Sequence, residues 1–243
     1  MKSNPDNKLY IIREINSSEK KNKLIISEEI EQMINTIIKK GREEQEILLK
    51  LVIERIIQNN DKPNIIDGFI FSKLMESNID EIKENLYNFF PNGILKLEQS
   101  LKINYQPLQD LLIKNKFEEA DIITQKYLCK LVDMNIRTNN KKEWLYFTDI
   151  QFLPLNDLFT IDLLWKIYSK GKFGFSVQKK IWINNNYKWH RLWEKIGWTH
   201  KGNIKRYPKD FLWTIEAPIG HLPLFNQLRG TQTLYALFNY ITW

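Results

Sequence analysis

From Ser27 to Gly41 apolar residues recur at Ile30, Met33, Ile34, Ile37 and Ile38, the three- and four-residue spacing that puts them on one face of an α-helix. Ser27 stands at the N-cap position, Glu28 and Glu29 fill the first turn where the helix dipole favours acids, and Gly41 closes the C-terminus. A second helix is predicted over residues 43–58. It is apolar nearly all round through Ile47, Leu48, Leu49, Leu51, Val52, Ile53, Ile56 and Ile57, so it must be packed on several sides. The polar run ending in Pro63 terminates it, and shorter helices are predicted at 64–77, 79–90 and 94–103, each bounded by Pro, Gly or Asn. Such a succession predicts an antiparallel bundle resembling helical repeats, although no fixed repeat period is present.

Asn104, Tyr105, Gln106 and Pro107 mark a boundary, beyond which residues 108–114 and 117–134 form another helical pair and 135–142 a polar turn. Asp157 is a candidate cap for a helix carrying Leu158, Ile161, Leu164, Trp165 and Tyr168 on one face and ended by Gly171. Ser176 is a candidate cap for a short helix through Ile183, and a last helix is expected at 231–241. No stretch alternates long enough to specify a strand, with 211–215 at most a short extended piece. The chain therefore reads as all-α. It divides into a loosely held N-terminus (1–23), a helical bundle (24–103), a mainly helical core domain (104–225) and a C-terminal helix (226–243).

Composition shifts attention to the second half. All eight tryptophans fall between Trp144 and Trp243, and residues 141–210 carry 14 Lys or Arg against 6 Asp or Glu. Rings and positive field thus share one stretch, which suits a partner that is anionic and flat or apolar. The sequence-wide excess of 34 Ile, 24 Asn and 29 Lys over 7 Arg and 3 Ala reads as nucleotide bias of a small genome, such as that of a plastid or a small bacterium, so lysine abundance alone is not evidence of binding. A single cysteine, Cys129, excludes an internal disulfide and falls in an apolar helical run where burial is expected. The N-terminal residues have the character of neither a signal nor a transit peptide, and no segment has the roughly twenty apolar residues of a membrane span.

Metal and hydrolytic readings find no support. His190, His200 and His221 show no i,i+4 pairing and no companion acid or cysteine motif. The run Gly171-Lys-Phe-Gly-Phe-Ser-Val-Gln178 lacks the GK[ST] pair of a phosphate loop, and its bulky rings leave no open cradle of amides. It can turn tightly and present Phe173 and Phe175 on a common side, either as core plugs or as part of a ligand wall. From Trp198 to Trp213 rings interleave with cations, including Lys201, Lys205, Arg206, Tyr207 and Phe211. That interleaving suits bases and phosphates, or a macrocycle and its carboxylates. Ala217-Pro-Ile-Gly-His-Leu-Pro223 then forms a constrained strap. A single-strand or RNA-binding surface and a helical scaffold with an aromatic core remain the alternatives on residues alone.

Leu108-Gln-Asp-Leu-Leu112, Phe117-Glu-Glu-Ala-Asp121, Asp157-Leu-x-x-Ile-Asp162, Leu164-Trp165, Tyr168-Ser169, Gly171-x-Phe-Gly-Phe-Ser-Val-Gln178, Trp182, Gly197-Trp198 and Ala217-Pro-x-Gly-His-Leu-Pro223 occur in this order. Together they resemble the core domain of the genomes-uncoupled-four family of tetrapyrrole-binding proteins over about half the chain. The resemblance implies a cupped, mainly helical domain binding protoporphyrin IX and magnesium protoporphyrin IX without catalysis, with no catalytic cofactor and no resident metal. It implies stimulation of magnesium chelatase in chlorophyll biosynthesis, and so in photosynthesis, through that enzyme's large porphyrin-binding subunit. No nucleic acid is expected as a partner, and a monomer with peripheral association to plastid membranes is. The implied place is the chloroplast, as a plastid-encoded protein, or a cyanobacterial cytoplasm. Trp198 and Ile219, Gly220, His221 and Leu222 match the segments that flank the ligand. Trp193 and Trp213 complete the expected wall with Phe173, Phe175, Tyr207 and Phe211. Many members carry a cation where this chain has Ile219, so Lys201, Lys205 and Arg206 are the expected carboxylate partners. For His221, with Gly220 and Pro223 around it, a structural role is expected ahead of axial ligation.

Overall fold

The computed structural model describes residues 25–136, 142–200, 202–225 and 231–243; the expected loose N-terminus, most of the polar turn at 135–142, and Lys201 lie outside the described residues. The chain separates into two compact units, one of residues 1–96 with 167–171, the other of residues 97–166 with 172–243. Among the described residues the architecture is helical, with one two-residue hairpin, and no helix is long and apolar enough to cross a membrane.

In the first unit α1 (Glu28–Lys39) buries Ile30, Ile34 and Ile37, as the periodicity predicts. It is followed by α2 (Arg42–Ile53), which continues as a π-helical turn, Glu54–Gln58. Asn64 caps α3 (Ile65–Met75) by accepting from the Ile66 and Asp67 N–H groups, while Asp67 accepts from the Asn64 N–H in return. The buried Asp67 also receives Arg55 at 3.1 Å, so the guanidinium inside this unit is paired. Then comes α4 (Asp80–Phe89). Gly68 is required by a close approach, since a Cβ there would stand 2.3 Å from the Ile167 carbonyl oxygen.

The helix expected at 94–103 does not form; this stretch is turns and bends. Its apolar ends are claimed separately, with Ile94 in the first unit and Ile103 in the second. Its amides find side-chain partners instead of an i−4 carbonyl: the Ile94 N–H donates to the Tyr168 hydroxyl and the Lys102 N–H to Asp157.

The second unit holds α5 (Gln106–Ile113), α6 (Phe117–Ile136), a 3₁₀ turn (Phe147–Phe152), α7 (Leu155–Ile167, whose last residue is grouped with the first unit), α8 (Phe175–Asn184), α9 (Trp189–Lys195) and α10 (Thr231–Tyr240). Its centre is a ring cluster in which Phe117 lies 6.2 Å from Trp165 and 5.4 Å from Phe173, and the Trp165 indole N–H is satisfied by the Thr124 hydroxyl. Cys129 is buried on α6, and burial pushes its thiol up to about 11. Two expected caps act differently. Asp157 lies in the first turn of α7 and accepts from the Lys102 N–H and the Tyr105 hydroxyl. Ser176 lies inside α8, where its N–H and hydroxyl both donate to Asp162 of α7; the N-cap is Gly174, whose φ of +131° and 2.8 Å clearance to Asp162 Oδ1 exclude a side chain. Helix α9 has no counterpart in the sequence reading. Thr199–His200 (β1) and Asn203–Ile204 (β2) pair antiparallel, against the expectation of no strand, while residues 211–215 are not a strand.

Candidate functional site

The turn before α8 and the loop after the hairpin are bound to one another through the main chain. The Gly174 N–H donates to Leu222 O at 3.0 Å and the Gly220 N–H to Lys172 O at 2.7 Å. Gln178, fully buried on α8, donates its amide to both Gly220 O (3.0 Å) and Pro223 O (2.9 Å). The Leu224 N–H then donates to Asp121 of α6 at 2.6 Å. Lys172 Nζ reaches Ile215 O at 2.6 Å. Gly220 itself has φ +79°, and a Cβ there would meet Ile181 and Ile196 at 2.7 and 2.8 Å.

His221 locks the other side. It is fully buried, its Nδ1 lies 2.6 Å from Ile196 O, and its Nε2 accepts the Leu212 N–H at 3.0 Å. These partners fix the neutral Nδ1–H tautomer, and burial holds the imidazole below its ordinary pKa. Both ring nitrogens are thereby engaged inside the protein. Trp198, also buried, donates its indole N–H to His221 O at 2.8 Å, and its own N–H and carbonyl bond Trp193 O and the Lys205 N–H. Phe211 lies 5.5 Å from the His221 ring and 6.4 Å from Trp213; Tyr207 meets Trp213 edge-on at 6.1 Å. Trp213 donates to Pro208 O.

The sequence-chosen residues therefore divide. Phe173, Phe175, Trp198, Phe211, Gly220, His221 and Leu222 are buried supports, with Phe175 held against Phe225 at 5.6 Å. Phe173 and Phe175 are core plugs here and offer no surface to a ligand. Trp193, Lys205 and Trp213 are half-buried, while Arg206, Tyr207 and Ile219 are exposed. Two apolar side chains that the sequence reading passed over, Ile204 and Leu212, stand 54% and 48% exposed, with Ile219 at 40% and Tyr207 at 42%. So the segment from β2 to the strap, pinned from beneath at many points, leaves four large apolar side chains in water beside Lys205 and Arg206. Such a surface can bind a flat apolar ligand with an anionic edge.

An acid holds the chain just after the strap. Asp121 is buried, and burial drives its carboxyl up to about 8 despite the Leu224 amide. The Tyr207 phenol is raised first by burial and then by the charges of Asp121 and Glu118. Asp121 was legible only as part of a motif; Gln178 likewise stood in a motif whose final residue had no assigned task. Among the described residues no cluster of His, Cys, Asp and Glu could hold a metal ion.

A protein-family model described as GUN4-like matches residues 98–240. The Ycf53 protein of Pyropia yezoensis is 43% identical across 95% of this chain and 94% of its own length, and the Ycf53-like protein of Synechocystis is 40% identical across 75% and 77%. A protein of Arabidopsis thaliana named as a chloroplastic tetrapyrrole-binding protein is 32% identical across 56% of this chain and 54% of its own. The solved structure of GUN4 from Chlamydomonas reinhardtii superposes with a TM-score of 0.53, at 37% identity, covering 60% of this chain and 93% of that one.

Proposed function

The chain belongs to the GUN4-like family, and from that premise we propose that it binds a tetrapyrrole and does not transform it. The observation that carries the reading is the loop from Ile204 to Leu222: apolar side chains held outward over a fixed base of Trp198, Phe211 and His221, with cations alongside. A porphyrin presents a wide apolar face and two propionates. The face would lie on Tyr207, Leu212, Trp213 and Ile219, and Lys205, Arg206 and Lys201 would meet the propionates. His221 supports the loop and does not ligate a metal, because ligation would break a bond to Ile196 or to Leu212. Protoporphyrin IX and its magnesium form are the proposed ligands.

The proposed role is delivery or regulation: the loaded protein stimulates magnesium chelatase by engaging its large porphyrin-binding subunit, in a plastid or a cyanobacterial cytoplasm. Relatives from red-algal, plant and cyanobacterial sources support that setting. Adding deuteroporphyrin to the apo protein tests the ligand: the reading expects a shifted Soret band and quenched tryptophan emission, and neither change would sink it. Chelatase turnover with and without the protein tests the role separately.

A further inference from the structure

A second aromatic surface lies in the same unit, away from the Ile204–Leu222 loop in sequence, where α8, α9 and α10 meet. Trp182 of α8 stacks on Trp189 at 4.8 Å and 28°, meets Tyr187 and Tyr235 edge-on at 4.9 and 5.8 Å, and lies 5.5 Å from Phe238. Trp182 is buried, yet its indole N–H has no hydrogen-bond partner, an uncommon and costly condition for a buried donor. Around it Phe238 is buried and Trp189 half-buried, but Tyr187 is 59% and Tyr235 52% exposed, and Ile183 is exposed as well.

The turn that presents Tyr187 is itself under strain. The Tyr187 N–H returns to Trp182 O and the Asn186 N–H to Ile183 O, closing α8 with a Schellman arrangement. That motif needs one left-handed residue, which Asn186 supplies at φ +54°; Tyr187 is left-handed too, at +59°. An aromatic residue rarely adopts that conformation, and here its ring stays mostly in solvent. The charges are mainly positive. Between residues 179 and 195 stand Lys179, Lys180, Lys188, Arg191 and Lys195 against Glu194 alone, and α10 (Thr231–Tyr240) has no charged residue. Lys188 and Arg191, both exposed, flank Trp189 in the chain.

We propose that this face docks an acidic peptide segment of a partner protein, with an apolar or aromatic anchor seated among Tyr187, Trp189 and Tyr235 and its carboxylates on Lys188 and Arg191. Rings supply the anchor's contact area, and the exposed Lys188 and Arg191 select against basic partners. A nucleic-acid strand would also answer to rings and cations, but it needs a row of open ring faces. Here Trp182 and Trp189 stack on one another and the tyrosines are set edge-on to Trp182. Docking at this face does not require a bound tetrapyrrole.

The full chain without porphyrin is titrated with a random Glu–Tyr copolymer, with polyglutamate and with oligo(dT), following tryptophan emission. The copolymer is expected to bind saturably and more tightly than polyglutamate. Lys188→Glu combined with Arg191→Glu is expected to weaken it at least about tenfold, since like charges face each other at the rim, and Tyr235→Ser to weaken it too, with wild-type circular dichroism and an unchanged deuteroporphyrin response in both variants. Absence of copolymer binding, indifference to these substitutions, equal affinity for polyglutamate, or oligo(dT) binding abolished by the same substitutions would each overturn the proposal.

Discussion

The indole N–H of Trp198 donates to the main-chain carbonyl of His221 at 2.8 Å across 23 residues of chain, tying the turn at Gly197 to the strap that ends in Pro223. Neither partner reaches solvent. The bond makes the exposed loop between them a fixed surface, and a Trp198→Phe substitution isolates its contribution. It keeps a buried ring and leaves a buried acceptor unmet, so it should cost about 1–3 kcal/mol in denaturant unfolding. An unchanged midpoint would remove this bond from the account.

Gln178 predicts a more local effect. Its amide spans Gly220 O and Pro223 O from α8, so Gln178→Leu strips two buried carbonyls of their donor at once. Hydrogen exchange should accelerate at Gly174 and Gly220, whose amides bridge the same two segments, while α1 and α2 of the other unit exchange as before. Uniform acceleration along the chain would mean the glutamine acts on global stability.

These two residues also mark where sequence was readable. The periodicity of residues 27–41 was readable directly, because Ile30, Ile34 and Ile37 are buried as their spacing required, whereas the next helix, expected to be packed on several sides, ends in a π-helical turn that leaves Ile57 49% exposed. The caps at Asp157 and Ser176 were misread because a polar side chain near a helix start can bond locally or far away, and here the partners are Tyr105 and Asp162, separated by 52 and 14 residues. Helix α9 is too short for its period to show, with only Leu192 fully buried. The aromatic-cationic segment was legible as chemistry. Its division into buried supports and exposed contacts was not, since loops have no period from which a facing can be read, and that is why Ile204 and Leu212 were passed over.

Two titrating groups grip the strap with opposite pH dependence. Asp121 has its folded pKa raised, to about 8, so the folded state holds a proton that the unfolded chain has lost. Its contribution is complete below the ordinary carboxyl range and is lost as pH rises from about 4 to 8. His221 has its folded pKa lowered, so its contribution is present above pH 6.5 and lost as pH falls below that value. Asp121→Asn should flatten the alkaline limb of stability against pH and leave the acid limb in place. A persistent alkaline limb would assign it elsewhere.

Gly220 admits no side chain, with its φ of +79° and the Ile181 and Ile196 methyl groups within 2.8 Å of a Cβ. Gly220→Ala should destabilise by about 1–3 kcal/mol or more, from left-handed strain together with overpacking, measured by urea unfolding. Gly202→Ala, where nothing lies within 4 Å, carries only the backbone strain at φ +82° and should cost less. Equal costs would show that the space beneath the strap yields.

The most direct test of tetrapyrrole binding on this loop is deuteroporphyrin titration of wild type beside a Leu212→Asp, Ile219→Asp double variant. Both side chains are exposed, at 48% and 40%, and the main-chain bond from Leu212 to His221 is available to any residue, so folding should be preserved while two carboxylates enter the proposed porphyrin face. The account predicts saturable binding with a shifted Soret band for wild type and affinity at least about tenfold weaker for the variant, since a charge desolvated against an apolar ring costs more than one factor of ten. Equal affinity in the two proteins would contradict it.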